Sequence, residues 1–163
     1  MKPERFMVDG LGGEKKLRGT IAVGGAKNAI LKSMPAALLF DDTLSLTNVP
    51  DIEDVARVKE LLEAMGASVE RTDHALAINT AAANTHELND AIARRLRASI
   101  VFAGPVLARF GRVSFPHPGG DVIGPRPIDL FLQGFRAMGC DVSLGGERYT
   151  ITASGGRLRG AEI

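Results

Sequence analysis

Hydrophobic positions change their period several times along this chain, and each change predicts an element. Arg5 to Asp9 and Leu17 to Val23 read as short strands. From Ala26 to Phe40 the pattern is helical, with a kink expected at Pro35. Thr43 to Asn48 reads as a strand. Ile52 to Met65 is an amphipathic helix with Ile52, Val55, Val58, Leu61, Leu62 and Met65 on one face, and Gly66 is its natural stop. Ser68 to Arg71 and Ala75 to Asn79 then form a hairpin across Thr72, Asp73 and His74.

The same order returns. Glu87 to Arg109 is expected to be helical, Arg112 to Phe115 a strand and Pro127 to Met138 a helix. Asp141 to Leu144 and Arg148 to Thr152 form a second hairpin across Gly145 and Gly146. Ala64-Met65-Gly66 recurs as Ala137-Met138-Gly139, and the same spacing pairs Leu62 with Phe135, Val69 with Val142 and Ile78 with Ile151. These are core positions, so the pattern predicts an α/β (α+β) chain with two copies of a helix–strand–helix–strand–strand unit. Upstream the spacing shortens, pairing Pro35 with Pro105 and Lys27 with Arg97. The second copy is therefore longer at Pro116 to Pro127, and a lengthened loop is where function is added to a scaffold. Thr80 to Thr85 is the expected joint between copies.

Composition narrows the class. Hydrophobic residues make up 45% and charged residues 24% of 163 residues, the profile of a soluble folded domain. Twenty Lys plus Arg against 19 Asp plus Glu leave a net charge of +1, which argues against nucleic-acid or membrane-surface binding. No apolar run is long enough to span a bilayer and the first residues lack a signal peptide's apolar core, so a cytoplasmic location is expected. A single cysteine, Cys140, excludes an intrachain disulfide, and it is expected as a small buried hydrophobe at a strand start. His74, His86 and His117 have no metal-ligand spacing, so neither metal nor cofactor is expected.

Three segments carry candidate chemistry. Gly24-Gly25-Ala26-Lys27-Asn28 opens a helix after a strand, where free N–H groups favour anions. A lysine there opposes the helix dipole, so it either faces a bound anion or is a solvated turn residue. Arg94, Arg95 and Arg97 read as a solvated helix face, with Arg97 the one aimed toward a cleft. In Pro118-Gly119-Gly120-Asp121-Val122-Ile123-Gly124-Pro125-Arg126-Pro127-Ile128-Asp129-Leu130 the glycines allow a loop that moves. Pro127 and Asp129 suit a helix start, and Arg126 beside it is placed to grip phosphate.

Together, Gly25-Ala26-Lys27-Asn28-Ala29, Arg97-Ala98-Ser99-Ile100 and the run from Pro118 to Leu130 resemble the UDP-N-acetylglucosamine 1-carboxyvinyltransferase family. The similarity extends from about Phe6 to the last residue, through Leu46-Thr47-Asn48-Val49-Pro50 and Gly156-Arg157-Leu158-Arg159-Gly160-Ala161. The resemblance implies two lobes of inverted repeats. Residues 1–24 would belong to the other lobe, and 25–163 would supply two of three repeats, 25–80 and 87–153.

It further implies transfer of enolpyruvate from phosphoenolpyruvate to UDP-N-acetylglucosamine, a step of peptidoglycan synthesis. Lys27 and Asn28 would contact phosphoenolpyruvate and the amino sugar, Arg97 the nucleotide sugar, and Arg126 the phosphate of phosphoenolpyruvate. Arg126, Pro127, Ile128, Asp129 and Leu130 would line the uridine site. Asp121 stands where most of the family carries a reactive cysteine, and would be the loop acid. The family's catalytic base and several substrate-binding arginines lie beyond Ile163, so the chain is expected to be an incomplete, inactive portion that needs the missing C-terminal half. Two alternatives are a non-catalytic nucleotide-sugar-binding module and the related shikimate-pathway enolpyruvyl transferase, which lacks this Gly-Gly-Asp/Cys loop.

Overall fold

The structure is a computed structural model that describes residues 5–10, 12–13, 16–120, 124 and 127–163. Helix α1 (Lys27–Ala36) buries Ile30, Leu31, Met34 and Pro35 on one face. Pro35 lacks the N–H that would continue the ladder, and the chain tightens into a 3-10 turn at Ala37–Leu39. Strand β1 (Leu44–Leu46) is shorter than expected, because Asn48 turns the chain with φ 55 before Val49 donates to the His74 carbonyl at 2.8 Å. Helix α2 (Glu53–Ala64) buries Val55, Val58, Leu61 and Leu62, and acidic Glu53 and Asp54 occupy its first turn, as the dipole favours. Strands β2 (Ser68–Thr72) and β3 (Ala75–Asn79) form the expected hairpin, and β1 adds to give the antiparallel order β1-β3-β2.

The single helix expected from Glu87 to Arg109 is broken. Leu88 donates to the Ser114 carbonyl and Ser114 to that of His86, so 86–88 runs beside a strand and cannot be helical. A short helix α3 (Asp90–Ala93) then starts on Asn89, whose side chain accepts from the Ile92 N–H. After a turn at Arg94 and Arg95, a 3-10 segment (Arg97–Phe102) leads into α4 (Ala103–Phe110). Pro105 falls in the first turn of α4, where its missing N–H removes no helix bond.

Strand β4 (Arg112–Pro116), helix α5 (Asp129–Ala137), β5 (Cys140–Gly145) and β6 (Arg148–Ala153) follow, with sheet order β4-β6-β5. Helix α5 is shorter than expected because Ile128, ahead of it, is buried in non-helical backbone.

The two sheets match in order and in register. Val69 faces Ile78 across β2 and β3, and Val142 faces Ile151 across β5 and β6. Leu44 and Val113 face the same two isoleucines from β1 and β4, and both isoleucines are fully buried. Helices α1 and α4 pack on the 3-10 segments beside them, α4 also on β4, and all contribute to one hydrophobic cluster. Arg109 ties the halves together, donating to the Leu38 carbonyl at 3.1 Å and the Thr80 carbonyl at 3.0 Å.

The strands expected at 5–9 and 17–23 do not form. Phe6, Met7, Val8, Leu17, Ile21 and Val23 are exposed, and no strand among the described residues pairs with them. A strand without a ladder partner has nothing to hold its backbone groups, whatever its hydrophobic pattern.

Candidate substrate cleft

Lys27 and Arg97 occupy equivalent places. Each opens a helical segment after a residue in extended conformation, Ala26 and Leu96 respectively. Because α1 packs against the 97–102 segment, the two side chains meet at one cleft, together with Asn28. Gly25 lets this happen, since a Cβ there would collide with the Asn48 carbonyl.

The polar half of the cleft encloses about 410 Å³ and, among the described residues, is lined by Lys27, Arg57, Arg94, Arg95 and Arg97 together with the carboxylates of Glu53 and Asp54. Such an excess of fixed cations in a concave site focuses an attractive field for anions. Lys27 is already engaged: its ammonium lies 2.5 Å from the Asp54 carboxylate. The dipole cost of a lysine in the first turn of α1 is thus offset inside the protein, by a neighbouring helix.

Arg57 is clamped by Glu60 at 2.7 and 2.8 Å and by Glu53 at 3.1 Å. The Glu60 and Glu53 hydrogen bonds push its pKa above the ordinary arginine value and hold it charged. Arg94 is held by Glu147 at 2.7 Å and Asp90 at 3.6 Å, while Arg95 approaches Glu53 at 3.9 Å. Arg97 donates to the Pro127 carbonyl at 3.3 Å, which ties the start of α5 to the cleft wall.

Arg94 and Arg95 are solvent-exposed, as expected, but the expectation that they lie on a helix is corrected. They sit on a turn rather than a helix, so their side chains line the same cleft as Arg97. Sequence reasoning missed Arg57, Glu53 and Asp54 altogether. Their one signal was charge within the first turns of an otherwise apolar-faced helix, which is ordinary for a surface.

Gly119 and Gly120 are built into this arginine turn. The Gly119 N–H donates to the Ala93 carbonyl at 3.3 Å, and a Cβ on Gly119 would overlap the Arg94 carbonyl. Gly120, at φ +99, leaves only 3.2 Å between an added Cβ and the Arg97 backbone nitrogen. These two glycines serve close approach to the arginine turn.

Asp121 and Arg126 lie outside the described residues. Among the rest of the expected uridine-site group, Pro127, Asp129 and Leu130 are exposed, but Ile128 is buried at 2% and packs into the core. Among the described residues no cluster of three metal-ligating side chains occurs, and no helix is long and apolar enough to cross a membrane.

A second compartment of the cleft, about 370 Å³, shares Lys27, Asp54 and Arg97 and adds Asn28, Lys32 and an apolar wall that includes Leu31, Val101 and Phe131. A site that joins a cationic floor to an apolar wall suits an organic phosphate.

Fold and cleft together define an enolpyruvyl-transferase architecture. The solved structure of the enolpyruvyl transferase NikO from Streptomyces tendae superposes with a TM-score of 0.73 at 20% identity, covering 88% of this chain and 31% of that one. Residues 11–163 match the family described as EPSP synthase (3-phosphoshikimate 1-carboxyvinyltransferase), and the chain belongs to that family. Within it, the chain is 39% identical over 160 residues to a protein of Desulfosudis oleivorans named UDP-N-acetylglucosamine 1-carboxyvinyltransferase. That match covers 98% of this chain and 37% of the relative. A protein of the same name from Cereibacter sphaeroides is 42% identical, covering 93% of this chain and 36% of that relative. The chain therefore spans a little over a third of the length of these relatives.

Proposed function

We propose that the chain forms one wall of the substrate cleft of a UDP-N-acetylglucosamine 1-carboxyvinyltransferase, working in the cytoplasm at the first committed step of peptidoglycan synthesis and so serving cell-wall growth, cell shape and division. The observation that carries this is the meeting of Lys27, Asn28 and Arg97 at one cation-rich cleft. The names of relatives near 40% identity favour this substrate over shikimate 3-phosphate.

In this reading the 3-hydroxyl of the amino sugar adds to carbon 2 of phosphoenolpyruvate while carbon 3 gains a proton. Loss of a proton from carbon 3 then breaks the bond from carbon 2 to the phosphate oxygen and releases phosphate. Lys27 and Arg126 hold the phosphate, Asn28 and Arg97 orient the sugar, and these fixed charges stabilise the charged intermediate. Asp121 supplies the proton to carbon 3. Pro127, Asp129 and Leu130 meet the uridine with their side chains, and Ile128 through its backbone. Glu53 and Asp54, the carboxylates that line the described cleft, are each paired with one of its cations.

Calorimetric titration tests the binding part. The chain is expected to bind UDP-N-acetylglucosamine and phosphoenolpyruvate, to lose both with Lys27→Ala or Arg97→Ala, and to ignore shikimate 3-phosphate. Preference for shikimate 3-phosphate, or binding indifferent to both substitutions, would overturn the assignment. Fosfomycin alkylates the loop cysteine of this family, and a carboxylate is a far weaker nucleophile toward an epoxide. Resistance is therefore expected in the whole protein, with Asp121→Cys restoring a covalent adduct detectable by mass spectrometry.

A further inference from the structure

Phe131 is 47% exposed, yet it faces the cleft from the first turn of α5 and shares its wall with Leu31 and Val101. The same compartment is lined by Lys27, Asn28 and Arg97. The cations answer the need of a phosphate or carboxylate, but an apolar ring offers nothing to such groups. We propose that Phe131 is a specificity-determining residue that stacks on a planar amide-type group of the bound nucleotide sugar. This rests on the substrate reading above and adds a residue and a chemistry to it.

UDP-N-acetylglucosamine carries two flat groups of that kind, the uracil ring and the acetamide. Either presents a face to an aromatic side chain while its phosphates remain on the cationic wall. Phosphoenolpyruvate carries neither, so Phe131 separates the two substrates by shape and polarity where the cations treat both as anions. The hydrogen bond from Arg97 to the Pro127 carbonyl ties the entry of α5 to the cationic wall, which fixes the gap the ligand must fill.

The test titrates the chain, Phe131→Ala and Phe131→Tyr with UDP-N-acetylglucosamine, UDP-glucose, N-acetylglucosamine 1-phosphate and phosphoenolpyruvate. Phe131→Ala should weaken UDP-N-acetylglucosamine roughly three- to tenfold and leave phosphoenolpyruvate unchanged. Phe131→Tyr, which keeps the ring, should restore the affinity. A parallel loss with UDP-glucose assigns the stacking to uracil, and one with N-acetylglucosamine 1-phosphate assigns it to the acetamide. Independently of any variant, nuclear Overhauser contacts should join the Phe131 ring protons of the unsubstituted chain to protons of the uracil or the acetyl methyl. Unchanged affinities in Phe131→Ala, equal losses for phosphoenolpyruvate, or no such contacts would overturn the inference alone, provided Lys27→Ala still abolishes binding. Absence of any nucleotide-sugar binding would overturn the substrate reading with it.

Discussion

The ammonium of Lys27 sits 2.5 Å from the carboxylate of Asp54, so the first cation of the cleft is occupied before any ligand arrives. Both side chains are partly exposed, at 58% and 33%, and a bridge of that kind contributes at most about 1 kcal/mol to stability. Asp54→Asn should therefore leave the melting temperature nearly unchanged while tightening phosphoenolpyruvate binding several-fold at low salt. Calorimetry at two ionic strengths reads this directly. Weaker binding would show that Asp54 orients Lys27 for the ligand and does not compete with it.

Gly119 has no room for a side chain against the Arg94 carbonyl. Gly119→Ala should cost about 1–3 kcal/mol through forced displacement of the arginine turn, measured by urea unfolding. Gly104→Ala is the control. It lies in α4 with open space around it, so alanine should be neutral or stabilising by up to about 1 kcal/mol.

Arg109 satisfies the Leu38 and Thr80 carbonyls and the Thr80 hydroxyl, linking the end of α1 and the end of β3 to α4. Thr80 keeps the Ala83 N–H on its carbonyl and the Ala37 carbonyl on its hydroxyl, so the acceptor left unpaired by loss of the guanidinium is the carbonyl of buried Leu38. Arg109→Leu should destabilise the chain by about 1–3 kcal/mol, and Arg109→Lys should recover only part of that, because an ammonium lacks the fork that reaches all three acceptors. Thermal unfolding of both variants provides the measurement.

Burial pushes the Cys140 thiol above its ordinary range, and the negative charge of Asp141 adds to the effect. The folded protein thus holds this proton to higher pH than the unfolded chain does. Below the thiol range the shift has no effect on stability, and stability declines as pH rises through the unfolded thiol's pKa. Iodoacetamide at pH 8 should label Cys140 far more slowly in the native chain than in urea. Equal rates would mean the thiol is not shielded in the folded state.

Periodicity and turn chemistry are local, and what they determine was legible in the sequence alone. The faces of α1 and α2, both hairpins and the matched pairs Val69 with Val142 and Ile78 with Ile151 all follow from spacing within short segments. The repeat spacing also paired Lys27 with Arg97, but it placed Arg97 inside a long helix, and only the structure shows both residues opening helical segments. Contacts between distant segments decided the rest. The expected long helix breaks because 86–88 pairs with Ser114 of β4, and that break swings Arg94 and Arg95 into the cleft. Arg57, Glu53 and Asp54 join the site only because α1 packs on α2 and the arginine turn closes over both. Gly119 takes its meaning from the Arg94 carbonyl beside it. The segments 5–9 and 17–23 have strand patterns and no strand, because a β-strand is completed by its neighbour, and hydrophobic alternation within a segment cannot say whether that neighbour is there.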